Sequence, residues 1–282
     1  MVRRHIHSEP TSRLAIWARR LAGFALVASL LAIIIVRSGM LEIWPALATF
    51  AGALALAVIA LLVALAAFAV IWMEGAAGMG AALSAMAISL ALLAYPAYLG
   101  IKGYRLPWIH DITTDPIDPP RYEALARLRP RDANPVAYPG LYTAERQRAA
   151  YPDIGPIGTN ATPQAAYDAA LAAVNKRKWR VVDARTPQAG RREGRIEAVA
   201  RTPIMGFRDD VVIRVRPEPD GARIDARSSS RYGTSDFGTN AERVRGLMND
   251  IEDGIRGQKP ERPPAQPPAK KSPPGKKEPA KK

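Results

Sequence analysis

The sequence predicts an α+β protein: three transmembrane helices followed by a small antiparallel four-stranded sheet with two helices on one face, in the order αββββα. Three observations predict it. From Leu21 to Gly100 the only charged residues are Arg37, Glu42 and Glu74. Four strand-like runs lie between Trp179 and Ser230, three of them with clear period-2 alternation. A helical pattern precedes these runs and a second follows them.

The first apolar stretch, Leu21 to Val36, reaches membrane length when Ala15 to Trp17 lie in the interface. The second, Ala46 to Trp72, is unbroken Ala, Leu, Val, Ile and Phe, and the third, Ala76 to Leu99, is richer in Gly, Ser and Met. A bilayer core takes about 20 apolar helical residues, so each stretch suffices. Trp17, Trp44, Trp72, Tyr95, Tyr98 and Trp108 fall at the stretch ends, where amphipathic rings favour the headgroup region. No small-residue cleavage site follows Val36, and the first stretch reads as an uncleaved anchor. Five Arg precede it, one lies in the first loop and none in the second. The positive-inside rule then predicts a cytoplasmic N-terminus (1–20), a membrane region (21–100) and everything later outside, so that the C-terminal domain is periplasmic and the protein a multi-pass component of the bacterial inner membrane. The absence of intramembrane charge argues against a transporter.

Residues 101–160 contain nine prolines. Proline removes ladder donors and restricts its predecessor, so an extended strap is expected, with a short helix near Tyr122 to Leu128. The α+β domain is expected over 161–256. Thr162-Pro163 reads as a helix cap and first position, opening a helix to about Lys176. The strand runs are Trp179–Arg185, Arg195–Thr202, Asp210–Arg216 and Ala222–Ser230. Ile196, Ala198 and Ala200, then Val211, Ile213 and Val215, then Ile224 and Ala226 share one face. A final helix from Asn240 to Ile255 carries Val244, Leu247, Met248, Ile251 and Ile255 as an apolar stripe. The Pro/Lys-rich end, 257–282, lacks the apolar side chains for a core and reads as disordered.

Of the 40 basic and 26 acidic residues, 34 and 23 follow residue 100, leaving +11 of the total +14 there. That excess favours anionic partners. The partners expected are the lipid bilayer, an anionic lipid or cell-wall polymer engaged by the tail, and a protein partner or second copy; no nucleic acid is expected, because interleaved aromatic platforms are missing. There is no cysteine, which excludes disulfides and thiolate chemistry. No histidine falls within the expected domain, which excludes Ser-His-Asp hydrolysis and His-ligated zinc there. No phosphate-cradling glycine motif occurs, and no cofactor and no metal are expected.

Three motifs carry a resemblance. They are Asp111-Ile112-Thr113-Thr114-Asp115-Pro116 with Asp118-Pro119-Pro120, then Gly206-Phe207-Arg208-Asp209-Asp210 through Arg214, and Arg227 to Gly233 with Ser235-Asp236-Phe237-Gly238-Thr239-Asn240. In this order, over Ile109 to Ile255, the chain resembles the bacterial and plastid family catalogued as domain of unknown function 1499, in its membrane-anchored form with three leading spans. That resemblance implies an extracytoplasmic domain but supplies no activity and no catalytic residue.

The candidate ligand-binding residues are Arg214, Arg227, Arg231, Ser235, Asp236 and Asn240; none is assigned a catalytic role. Arginine presents a planar fork to carboxylate or phosphate, and free N–H groups at the final helix's start suit an anion. Glu197, Arg214, Asp225 and Arg227 also read as a salt-bridge ladder on a wet sheet face. Asp209 and Asp210, being adjacent on a strand, point to opposite faces. The functional expectation is a non-catalytic envelope protein whose basic periplasmic domain binds an anionic ligand or a partner protein; the alternative is a hydrolase-like envelope enzyme using Asp, Arg and Ser.

Overall fold

Alanine repeats of three and four residues set the geometry of the membrane region. The computed structural model describes residues 11–39, 42–188 and 193–257; the first ten residues and the Pro/Lys tail from Gln258 lie outside it. Helices α1 (Arg13–Ser38), α2 (Ile43–Glu74) and α3 (Met79–Arg105) are long and apolar enough to cross a membrane. In α1 the buried positions are Ala15, Ala18, Ala22, Ala25, Ser29, Ala32 and Val36, and α2 repeats the spacing through Ala53, Ala57, Ala60, Ala64, Ala67 and Ile71. A 3.5-residue repeat keeps one seam facing its partner, and small side chains on that seam let backbones approach closely. Leu, Ile and Phe point outward instead: Phe24, Leu30, Ile34, Ile59 and Leu62 are all exposed. Without water to drive apolar side chains inward, lipid can take that face.

The α+β part is built on one antiparallel sheet. Its strands are β1 (Asp111–Thr113), β2 (Ile157–Thr159), β3 (Arg180–Arg185), β4 (Gly194–Arg201), β5 (Arg208–Glu218) and β6 (Gly221–Ser230). The order is β1-β6-β5-β4-β3, with β2 also on β6. The sheet therefore has six strands, not the four expected. The extra two come from the proline-rich segment and pair with the outer edge of β6, β1 at its end (Ile112 opposite Ser228) and β2 at its start (Ile157 opposite Ile224). The same segment holds the short helix α4 (Ala124–Leu128) and an unforeseen α5 (Leu141–Ala150). Gln147 of α5 explains how so short a strand persists: its side chain accepts from Thr113 N at 3.0 Å and donates to Thr113 O at 2.7 Å.

Helix α6 (Pro163–Lys176) starts where its cap residue dictates, Thr162 accepting from Ala165 N. With α7 (Thr239–Gly257) it covers one sheet face, and Val174, Val244, Leu247 and Ile251 meet Ile196, Val211, Ile213 and Ile224 in a single core.

Among the described residues the domain docks on the ends of the apolar helices at three places. Arg37, at the end of α1, donates to Pro203 O at 2.6 Å and Ile204 O at 3.0 Å in the β4–β5 turn. Gly39 and Gly206 make that fit reciprocal. A side chain on Gly206 would meet Arg37, one on Gly39 would collide with Arg208, and both glycines have positive φ. Trp44 of α2 meets Tyr232 edge-on, and at α3 Lys102 pairs with Glu242 while Phe237 lies against Gly103.

Candidate functional site

Strand alternation places Glu197, Val199, Asp210, Val212, Arg214, Asp225 and Arg227 on the sheet face opposite α6 and α7. This face is not wet, as the ladder reading expects. Chain from Asp115 to Tyr138 lies across it, and Glu197, Asp210 and Asp225 have no exposed surface at all. A buried carboxylate is tolerated only when its charge is answered by a counter-ion or by several hydrogen bonds; Asp210 and Asp225 have arginine partners, and Glu197 has backbone N–H groups. Glu197 accepts from the N–H groups of Glu123, Ala124 and Leu125, so a sheet residue caps the start of α4. Val199, Val212, Tyr122 and Leu125 form a small apolar cluster beside it.

The predicted arginines do not converge on a shared open site. Arg227, 2% exposed, binds Asp111 in a fork at 2.9 and 2.6 Å, donates to Pro120 O and Val136 O, and lies 4.7 and 5.5 Å from the rings of Tyr122 and Tyr138. Arg214, 5% exposed, is held by Asp225 and by both the carboxylate and the carbonyl of Asp118. Arg231, 4% exposed, is bound to Asp210, which Arg129 also contacts. Every donor set is directed at an acid or carbonyl of the protein itself. Burial and Asp111 act in opposite directions on Arg227, and its pKa is raised, keeping it charged. Tyr138 beside it is pushed up to about 12, mainly by burial.

Ser235, Asp236 and Asn240 form a second group, at the start of α7. Ser235 Oγ accepts from Phe237 N at 3.3 Å. Asp236 accepts from Gly238 N and Asn240 N, both at 2.8 Å, and Asn240 links Ser228, Ser230 and the carbonyl of His110. Asp209 points to this side, away from Asp210, and meets Arg243 at 2.5 Å. Burial raises the pKa of both Asp209 and Asp236 against these favourable bonds.

Beside that group, where domain meets membrane helices, is a cavity of about 250 Å³. Trp44, Leu47, Tyr95 and Leu99 form its helix side; Ile204, Met205, Phe207, Arg208, Tyr232 and Phe237 form its domain side, and Asp209, Ser235 and Asp236 also line it. A neighbouring hollow of about 270 Å³ shares Phe207, Arg208 and Tyr232 and adds Arg231, Val36 and Ile43. Arg208 makes no ion pair among the described residues. Burial first, and then repulsion from Arg201, Arg231 and Arg180, lower its pKa. Sequence reasoning missed it as a site residue, although an apolar turn, Ile204-Met205-Gly206-Phe207, between two strands is unusual unless something apolar covers it.

Fold and site together define a membrane-anchored α+β protein whose three sequence motifs interlock: Asp111 binds Arg227, Asp118 binds Arg214, and Asp210 binds Arg231. The family described as protein of unknown function (DUF1499) matches residues 111–251, half the chain, and the protein belongs to it. Neither a curated protein nor a solved structure matches the chain.

Proposed function

We propose that the protein is a non-catalytic envelope protein, anchored in the inner membrane with its basic domain on the periplasmic side, and that the domain binds an anionic ligand where it meets the helices. One observation carries this reading: among the described residues Arg208 lines the junction cavity without a carboxylate partner, whereas Arg214, Arg227 and Arg231 are each bound to one. The anion expected from the sequence is thereby moved from the arginine trio to Arg208, with Arg231, Ser235 and Asp236 around it.

The hydrolase-like alternative has its own observation, since Asp209, Asp236 and Ser235 line the same cavity. It is the weaker reading. Asp209 is engaged by Arg243 and Asp236 by two backbone N–H groups, so neither is free to attack or to shuttle a proton.

Two measurements test the proposal. Alkaline phosphatase fused after Ile255 is expected to be active and a cytoplasm-dependent fluorescent protein dark; the opposite pattern removes the periplasmic placement. In a deletion strain, Arg208→Gln is expected to fold with an unchanged melting temperature yet fail to complement, while Arg208→Lys complements. Full complementation by the Gln variant rejects the binding role.

A further inference from the structure

We infer that the anion is the phosphoryl headgroup of an anionic membrane lipid, resting on Arg208 while its acyl chains lie along α2 and α3. This rests on the anion-binding reading above and names its ligand class.

Position comes first. The cavity is walled by the start of α2 (Trp44, Leu47) and the end of α3 (Tyr95, Leu99), on the same side as the end of α1. Those are the ends of three helices long enough to cross a bilayer, so the cavity lies at headgroup depth. Trp44 and Tyr95 keep 55% and 42% of their surface exposed, which leaves the helix-side wall open toward lipid.

The chemistry of the lining agrees. A soluble anion would lose water against Leu47, Leu99, Ile204 and Phe237 and gain nothing from them. A lipid places carbon against those side chains and phosphate on the guanidinium, which presents a fork suited to phosphate. A volume near 250 Å³ admits a headgroup and not a whole lipid, so the chains must run outside, along the helices.

Charge selects the residue. Asp209 and Asp236 share the cavity, but Arg243 and the start of α7 hold them. Arg208 sits instead on Gly39, at the carboxyl end of α1. The partial negative charge of a helix carboxyl end favours a cation there without neutralising it. The acids bordering the neighbouring hollow, Glu42 and Asp132, are exposed, and Asp132 accepts from Tyr232. The bilayer also supplies such a ligand at high local concentration, so modest affinity suffices for occupancy.

The test uses the full chain in neutral detergent, with phosphatidylglycerol, phosphatidylcholine or inorganic phosphate added and bound ligand read by native mass spectrometry. Wild type is expected to retain phosphatidylglycerol in preference to phosphatidylcholine. Arg208→Gln is expected to weaken retention by at least about tenfold, the loss of a charge-assisted contact, at unchanged melting temperature, and Arg208→Lys to restore most of it. Leu99→Trp, which fills the chain side of the cavity, should also weaken it. Equal retention of phosphatidylcholine, or no effect of Arg208→Gln, overturns the lipid assignment. Arg208-dependent binding of inorganic phosphate without phosphatidylglycerol overturns the lipid class but leaves the anion reading standing. Binding of neither overturns both.

Discussion

The two faces of the sheet are buried by different physics. Toward α6 and α7 lie Ile196, Val211, Ile213 and Ile224, a core that any apolar residues of similar volume would fill. Toward the proline-rich segment lie Glu197, Asp210, Arg214 and Arg227, also buried, each tied to a specific partner in that segment. An apolar face tells a covering segment that it should be covered. An ionic face also says by what and in which register, because a shifted segment would strand buried charges. A segment with nine prolines gains little from helix or sheet propensity, and it is here that such side-chain pairing does the positioning.

The ionic face is most vulnerable at Arg227. Arg227→Met leaves Asp111 buried and unpaired, and should cost about 3–5 kcal/mol, read by denaturation of the full chain in detergent. Adding Asp111→Leu removes the stranded charge and should recover most of that loss. On the other face Ile213→Ala should cost about 2–5 kcal/mol, and no single second substitution at a charged position should rescue it. A double variant at Arg227 and Asp111 as unstable as the single one would show that this pair does not hold the segment in place.

Much of the fold is legible in the sequence. Alternation locates β4 to β6, and a strand-like run bounded by turn residues locates β3, to within two residues at each end, and the Thr162 cap and apolar stripe locate α6 and α7. The strands β1 and β2 are not legible. Three residues carry no periodicity, and what makes them strands is the exposed edge of β6 and the Gln147 side chain, both distant in sequence. The site was half visible. Period 2 puts Arg214, Asp225 and Arg227 on one face, as found, but says nothing of what lies over it. Asp111, Asp115 and Asp118 in a segment opposite that many arginines are the signal of charge complementarity, and they stand in one of the three motifs. Arg208 escaped because its importance depends on a docking of domain to membrane helices that no local pattern records.

That docking permits a smaller, sharper test. Gly206 has φ +71°, and a Cβ there would lie 2.8 Å from Arg37 Cγ. Gly206→Ala should cost about 1–2 kcal/mol for the left-handed backbone, and the collision adds to it. Because the contact joins domain to helices and not sheet to core, the expected result is release of the domain without unfolding: trypsin should cut faster at Arg105 while the core melts as before. Unchanged cleavage would mean that the turn is not what holds the domain down.

The smallest expected effect lies at His110, which joins the two buried systems, its carbonyl serving Ser230 N and Asn240 while its ring lies near Asp111, Arg129 and Arg227. Burial chiefly, then Arg129 and Arg227, push its pKa below the usual 6.5, with Asp111 opposing. The fold therefore prefers the neutral ring. Its stabilising contribution is full above pH 6.5 and is lost as pH falls from there through the depressed value, since the unfolded chain takes up the proton first. Asp209 and Asp236, raised by burial above 3.8, act in the opposite sense, their folded forms gaining relative stability as pH falls. Asp115 and Glu123, lowered by their arginine and backbone partners against the cost of burial, contribute only losses below their ordinary values of 3.8 and 4.5. A difference measurement separates these. Melting temperature against pH for wild type and for His110→Gln should run parallel above pH 6.5 and diverge below it, the wild type falling relative to the variant. Curves that stay parallel on acidification would show that the ring is as free to protonate in the fold as outside it, and that charge on this side of β1 is not felt by the ionic layer.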